Sequence, residues 1–161
     1  MICKPLATNE IADNGGYTHI ASITADDLTT TTNNTSQTIL IATLAIGDAI
    51  GKVATRVKTN FADASDAAFN TTAITVGDTA NAVNNHITSQ ETNTNGTVVV
   101  EKFSNTLVGP YTAADKIAIT FNAMAAKKLS DIDVGEIEVL FQLQRIKTLE
   151  QATAGRQITT K

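Results

Sequence analysis

Residues 53–61 read VATRVKTNF, and this stretch decides the fold class. Its side chains alternate at a strict period of two, which predicts a half-buried β-strand rather than a helix. The cations of the stretch and of the residue before it fall on one side, so we expect a cationic outer face at Lys52, Arg56 and Lys58. The opposite side is predicted to face the core and carries Val53, Thr55, Val57, Thr59 and Phe61.

Segments of the same kind recur on both sides of this strand, separated by turn-forming residues. They predict further short strands over residues 17–23, 38–46, 73–76, 97–103, 116–122 and 136–143. One short helix is expected over residues 80–89, where Val83 and Ile87 lie four apart, and residues 124–129 are possible helical residues. Turns are expected at Gly47-Asp48, at residues 93–96 and at Gly109-Pro110. Many short strands with little helix predict an all-β, antiparallel β-sandwich or jelly-roll-like domain.

The two ends of the chain lack this periodicity. Residues 1–16 contain Pro5, Gly15 and Gly16 and are interpreted as an irregular, extended N-terminal arm. Residues 147–161 are interpreted as a second arm, which leaves residues 17–146 as the β-sandwich domain. Residues 24–37 are a polar run that cannot bury apolar area, so they predict a surface loop.

Composition limits the classes of partner. Hydrophobic residues make up 42% of the 161 residues and aromatic residues only 4%, so the core must be mainly aliphatic. The net charge of -4 does not suit a surface that neutralises phosphates, so we expect no nucleic-acid partner. The apolar stretch at residues 39–46 is too short to span a bilayer, and the N-terminus lacks a signal-peptide pattern. We therefore expect no membrane partner and synthesis in a cytoplasm.

No pattern of catalytic residues is found in the sequence. His19 and His86 lie in unrelated segments, with no partner at catalytic or metal-ligand spacing. Cys3 is the only cysteine and has no basic neighbourhood that would activate its thiol. No phosphate-binding glycine loop is present. We therefore predict that the chain is not an enzyme and uses no cofactor.

A weak acidic cluster surrounds Gly135. The spacing of Asp131, Asp133 and Glu136 could hold a calcium ion, but the EF-hand loop pattern is absent. Acidic residues in turns before strands commonly cap the backbone. No metal site is therefore predicted, and whether these three residues bind a cation stays open.

Several loop and strand-start patterns resemble those of a known class of proteins. They are TLAIGDAI at residues 43–50, ITVGD at 74–78, YTAADKIAITF at 111–121 and LSDIDVGE at 129–136. Across residues 38–143 the chain resembles small β-rich structural proteins of tailed bacteriophages, in particular capsid decoration (cement) proteins. The resemblance implies a protein that binds the outer surface of a capsid and clamps neighbouring major capsid subunits. It also implies a homo-oligomer, dimer or trimer, that is assembled in the host bacterial cytoplasm and located in the virion.

Two other functions are weighed against capsid decoration. The chain could be another virion component, such as a head-fibre base or tail protein, although it contains neither repeats nor a coiled-coil segment. A carbohydrate-binding β-sandwich is the more distant alternative. Such modules stack sugars on exposed aromatic residues, whereas this chain has no Trp and only Tyr17 and Tyr111 as tyrosines.

Candidate contacts with a partner come from three places. The two arms offer apolar anchors with flanking charge, and the cationic strand face could meet an acidic capsid surface, although a merely solvated face would have the same pattern. The candidate residues are Ile2, Lys4 and Leu6 in the N-terminal arm, Lys52, Arg56 and Lys58 on the strand, and Leu149, Arg156 and Ile158 in the C-terminal arm.

Overall fold

A computed structural model of the chain describes residues 1–66, 72–79, 82–93 and 100–145. Within these ranges the chain forms mainly β-strands, with one short helix and two single 3-10 turns at Ala25–Asp27 and Leu129–Asp131. The helix is α1, Thr8–Asp13. The strands are β1 Ile2–Pro5, β2 His19–Thr24, β3 Gln37–Leu44, β4 Asp48–Ala62, β5 Ala73–Asp78, β6 Ile87–Glu91, β7 Glu101–Ser104, β8 Asp115–Phe121 and β9 Val134–Arg145.

The strands form two antiparallel sheets, which confirms the predicted all-β sandwich. The five-stranded sheet has the order β1-β2-β9-β4-β7, and the four-stranded sheet has the order β3-β8-β5-β6. β9 lies at the centre of the larger sheet and pairs with β2 on one side and with the long strand β4 on the other. The last strand predicted from the sequence is therefore the central strand of the five-stranded sheet.

The core lies between the two sheets. Phe61 of β4 meets Phe121 of β8 edge to face, with ring centroids 5.0 Å apart, so this pair joins the larger sheet to the smaller one. Aliphatic side chains from both sheets surround the pair, as the composition predicts. They include Ile23, Leu44, Ile50, Val53, Ile74, Val76, Ile117, Ile119, Ile137 and Val139. Burial of each such side chain contributes about 1.5–3 kcal/mol.

The N-terminal segment differs from the sequence interpretation. Residues 1–16 are not an irregular arm, because β1 pairs with β2 and α1 follows at once. Leu6 is 9% exposed, and its amide donates to the carbonyl of Thr18 over 2.8 Å. Four residues of edge strand are too few to show a period in the sequence, which explains the difference.

The prediction of a helix over residues 80–89 is wrong for those of its residues that the structure describes. Ile87–Glu91 forms strand β6, which pairs with β5, and residues 83 and 84 form a turn. Val83 is exposed whereas Ile87 is buried, so their spacing of four does not mark a common helical face. Gln90 is also buried, since β6 belongs to a sheet that covers the core.

Several expected boundaries shift by a few residues. β4 begins at Asp48 rather than at residue 53, because a turn with Gly47 at φ 85° connects it directly to β3. The strand expected over residues 97–103 is observed at Glu101–Ser104, and residues 97–99 lie outside the described residues. Most of the turn at residues 93–96 and the whole arm at residues 147–161 also lie outside them. Residues 124–128 are not helical.

Candidate binding face of the five-stranded sheet

The outer face of the five-stranded sheet brings several predicted contact residues together. Strand register places ten of its side chains in two rows that cross all five strands. The apolar row consists of Lys4, Ile20, Leu140, Ala54 and Phe103, in the order of the strands from β1 to β7. The ionic row lies beside it and consists of Ile2, Ser22, Glu138, Arg56 and Glu101.

Two cations of this face, Arg56 and Lys58, are paired with carboxylates. Arg56 Nε lies 2.8 Å from Glu101 Oε1, and its Nη1 lies 3.8 Å from Glu138 Oε2. Lys58 Nζ lies 3.5 Å from Glu138 Oε1. Exposed pairs of this kind stabilise a fold by at most about 1 kcal/mol each. Their main consequence is that the strand face expected to be cationic carries both signs of charge.

Lys52, the third cation of the strand, holds the connection between α1 and β2. Its Nζ donates to the carbonyl of Gly15 and lies 4.7 Å from the centroid of the Tyr17 ring. A cation over an aromatic face is attracted by the ring quadrupole. Lys52 therefore fixes the segment after α1 against β4 instead of extending into solvent.

The apolar row is covered in its middle and open at the β7 end. Leu140 and Ala54 are buried, although they lie on the outer side of the sheet. A cleft of about 210 Å³ is lined by both residues together with Asn14, Tyr17 and Phe103. Phe103 is 62% exposed on the edge strand β7, so it is a large apolar side chain available to a partner.

A second cleft lies at the opposite edge of the same face. It encloses about 460 Å³ and is lined by Ile2, Lys4, Ile20, Ser22 and Glu138. Ile2 is 71% exposed. The cleft combines two apolar side chains with one ammonium and one carboxylate group, a mixture that is typical of a binding surface.

The predicted contact residues are distributed unequally. Ile2 and Lys4 lie on the outer face, whereas Leu6, which directly follows β1, is buried. Leu149, Arg156 and Ile158 lie outside the described residues. Sequence reasoning missed Phe103 as a contact, because only its place at the end of a strand was predicted. The spacing of two between Glu101 and Phe103 was a signal in the sequence, because residues two apart on one strand share a face and Phe103 therefore lies beside a charged residue.

A buried polar cluster closes one end of the sandwich. Tyr111 Oη donates to Asp78 Oδ2 over 3.3 Å, and the Asn85 amide also donates to this carboxylate. Thr79 Oγ1 donates to Asp115 Oδ1 over 2.7 Å. Burial, and then the charges of Asp78 and Asp115, raise the pKa of Tyr111 above its ordinary value.

His86 is the histidine of this cluster and is 6% exposed. Burial lowers its pKa below the ordinary value, and the nearby charge of Asp78 opposes this shift only in part. Neither ring nitrogen has a hydrogen-bond partner among the described residues. A buried imidazole that stays neutral suits a structural position better than a proton-transfer role, since the hydroxyl, amide and carboxylate groups around it bond to one another.

The described ranges contain no group of three or more His, Cys, Asp or Glu side chains arranged to hold a metal ion. In the acidic segment of the sequence, Asp133 Oδ1 accepts the Ala64 amide over 2.9 Å. Glu136 Oε1 accepts the Ser22 hydroxyl over 3.2 Å. Two of the three carboxylates that could have met at a calcium ion are thus engaged with different parts of the chain.

Comparison with protein-family models, with curated proteins and with solved structures finds no match for this chain. The resemblance to phage structural proteins therefore stays a prediction from the sequence patterns. Among the described residues, no helix has the length and hydropathy needed to cross a membrane.

Proposed function

We propose that the chain is a structural virion protein that binds the outer surface of a bacteriophage capsid and stabilises contacts between major capsid subunits. The observation that carries this proposal is the outer face of the five-stranded sheet. It has exposed apolar side chains at both edges, Ile2 and Phe103, and charges of both signs between them. Such a face suits contact with a protein surface.

The polar groups of the molecule support a binding role over a catalytic one. One set of buried polar side chains is the cluster around Asp78 and Tyr111, in which hydroxyl and amide groups donate to the carboxylates of Asp78 and Asp115. The neighbouring cleft of about 310 Å³ is lined by residues 109–115, among which Asp115 is the single ionisable side chain besides Tyr111. No nucleophile with an adjacent base faces this cleft in the described part of the chain.

The edge strands β1 and β3 favour binding through side chains rather than through strand addition. β1 is four residues long and contains Lys4 and Pro5, and β3 carries a register shift between Leu40 and Ala42. Short strands, proline, lysine and bulges all hinder the pairing of an edge with another chain. The N-terminal segment, which the sequence predicts as an extended arm, is instead a strand that pairs within its own chain.

The proposal is tested by co-sedimentation of the purified chain with undecorated shells of the phage that encodes it. Saturable binding at a fixed ratio to the major capsid protein, with shells that survive a higher temperature, is expected. Shells whose decoration sites are already filled serve as the control and should bind no further chain. A folded chain that leaves the shells unbound contradicts the proposal.

A further inference from the structure

We infer that the outer face of the five-stranded sheet is an interface between two copies of this chain, in which Phe103 of each copy enters the cleft of the other copy at Ile2, Lys4 and Ile20. This inference goes beyond the proposed function, because it names a second copy of the chain as a partner of the face and does not require a capsid. The proposed function uses the same face, so the dimer and the capsid compete for it. It rests on three features of that face: an exposed apolar side chain, a cleft and a balance of charge.

The exposed side chain is Phe103 on β7. It lies at the edge of the sheet, and the exposed residues Val100 and Leu107 flank its strand. Aromatic side chains that enter a pocket on a partner are the usual source of binding energy in protein interfaces. Since Phe103 is 62% exposed in the single chain, most of its surface is available for burial by a partner.

The cleft lies at the other edge of the same face. Its volume of about 460 Å³ falls within the range of pockets that hold small organic ligands, about 300–1,000 Å³, so it has room for one phenyl ring. Ile2 and Ile20 offer apolar contact, and the ammonium group of Lys4 can lie against the face of a ring. The chemistry of the cleft therefore matches the side chain that the opposite edge presents.

The charges of the face favour a second copy of the chain over a partner whose surface charges are mainly of one sign. The whole chain has a net charge of -4. The face and the adjoining end of α1 instead carry equal numbers of cations and anions, namely Lys4, Lys52, Arg56 and Lys58 with Asp13, Glu101, Glu136 and Glu138. A surface that recognises an oppositely charged partner is dominated by one sign, whereas a balanced surface can meet itself without net repulsion.

Symmetry makes the two contacts equivalent. In a twofold interface, when residue i of one copy contacts residue j of the other, residue j of the first also contacts residue i of the second. In such a dimer, Phe103 of each copy fills the cleft of the other copy, so the same contact is made twice. The dimer is closed, so no exposed Phe103 is left over for a third copy.

Sedimentation velocity of the full chain over a range of concentrations tests this interface. The unaltered chain is expected to dimerise, and Phe103→Ser is expected to weaken the dimer at least tenfold without loss of the β spectrum. Ile46→Ser is the matched control, since Ile46 is 70% exposed in the turn between β3 and β4 and lies off this face. It should dimerise like the unaltered chain.

A second variant makes the test specific for the cleft. Ser22→Trp is expected to fill the cleft and to weaken the dimer as Phe103→Ser does. Mixed together, the two variants regain one of the two contacts, so the mixed dimer should form more readily than either parent dimer. A monomeric unaltered chain, or a Phe103→Ser chain that dimerises normally, overturns the inference. If the chain still binds shells in either of these cases, the proposed function stands and only the dimer interface is wrong.

Discussion

Gly135 shows how one residue fixes the fit between the two longest strands. It has a φ of 148°, and a Cβ atom placed there would overlap the ring of Phe61. The backbone of β9 can therefore approach β4 and its core phenylalanine only if position 135 lacks a side chain. The glycine within the acidic segment is thus explained by packing, without a cation.

Gly135→Ala should accordingly destabilise the fold by about 3 kcal/mol, from overlap with Phe61 and an unfavourable backbone conformation. Urea unfolding followed by circular dichroism measures the change. Gly15→Ala is the matched control, because Gly15 also has a positive φ, 65°, but has open space around it. It should cost only about 1 kcal/mol. Equal effects of the two substitutions would show that overlap with Phe61 is unimportant.

His86 gives the molecule a pH dependence whose sign follows from its burial. Its pKa in the folded chain is lowered from 6.5, so the unfolded chain binds a proton at this site more readily. The stability contributed by neutral His86 is therefore complete above pH 6.5 and declines as the pH falls from there through the folded pKa. Asp78 is the charged group that acts on it.

Urea unfolding of the unaltered chain and of His86→Gln, measured between pH 8 and pH 5, tests this expectation. Below pH 6.5, the stability of His86→Gln should decline less than that of the unaltered chain. His19 contributes in the same direction, because burial also lowers its pKa, so His19→Gln reports its share separately. Identical pH profiles for the unaltered chain and His86→Gln would assign the decline to other groups.

At the scale of elements, sequence patterns identified the long central strands and failed at the short edge strands. β4, β8 and β9 alternate over seven residues or more, and their inward side chains, such as Val57, Ile119 and Val139, are buried as expected. β1 and β6 have four and five residues, too few for a period to emerge. Their place depends on pairing with a distant strand, which a local pattern does not contain.

The same limit applies to the candidate binding face. Lys52, Arg56 and Lys58 were correctly placed on the outer side of β4, where Arg56 and Lys58 are exposed. Their carboxylate partners come from β7 and β9, far away in sequence. Neutralisation of the cations and the proximity of Phe103 therefore could not be derived from the alternation alone.

The N-terminal segment yields a prediction at this scale, because a folded element and a free arm respond differently to truncated side chains. Leu6→Ala should reduce the free energy of unfolding by about 2 kcal/mol, since the side chain of Leu6 is buried. Ile2→Ala, on the same segment but exposed, should change it by no more than about 0.5 kcal/mol. Both are measured by urea unfolding at low protein concentration, so that the inferred dimer does not contribute to the stability. A negligible effect of Leu6→Ala would restore the interpretation of residues 1–16 as a free arm.

For the whole molecule, the two sheets have different outer sides. The smaller sheet carries a row of hydroxyl groups, in which Thr38 and Thr120 form a hydrogen bond of 2.9 Å and Thr75 continues the row. The larger sheet carries ion pairs, two clefts and the exposed Phe103. In the row of hydroxyl groups Thr38 is exposed, whereas Thr75 and Thr120 are buried. Because of this asymmetry, the larger sheet is the side that we propose to bind a partner.

Hydrogen–deuterium exchange of the full chain resolves this asymmetry. Amides in the middle of β9 should exchange most slowly, because β2 and β4 flank that strand on both sides. Raising the protein concentration, or adding shells, should slow exchange at the two edges of the larger sheet, Ile2–Pro5 and Glu101–Ser104. The edge strand Gln37–Leu44 of the smaller sheet is the internal control and should be unaffected. New protection confined to that strand would move the binding surface to the threonine side of the sandwich, and Phe103 would then need another explanation.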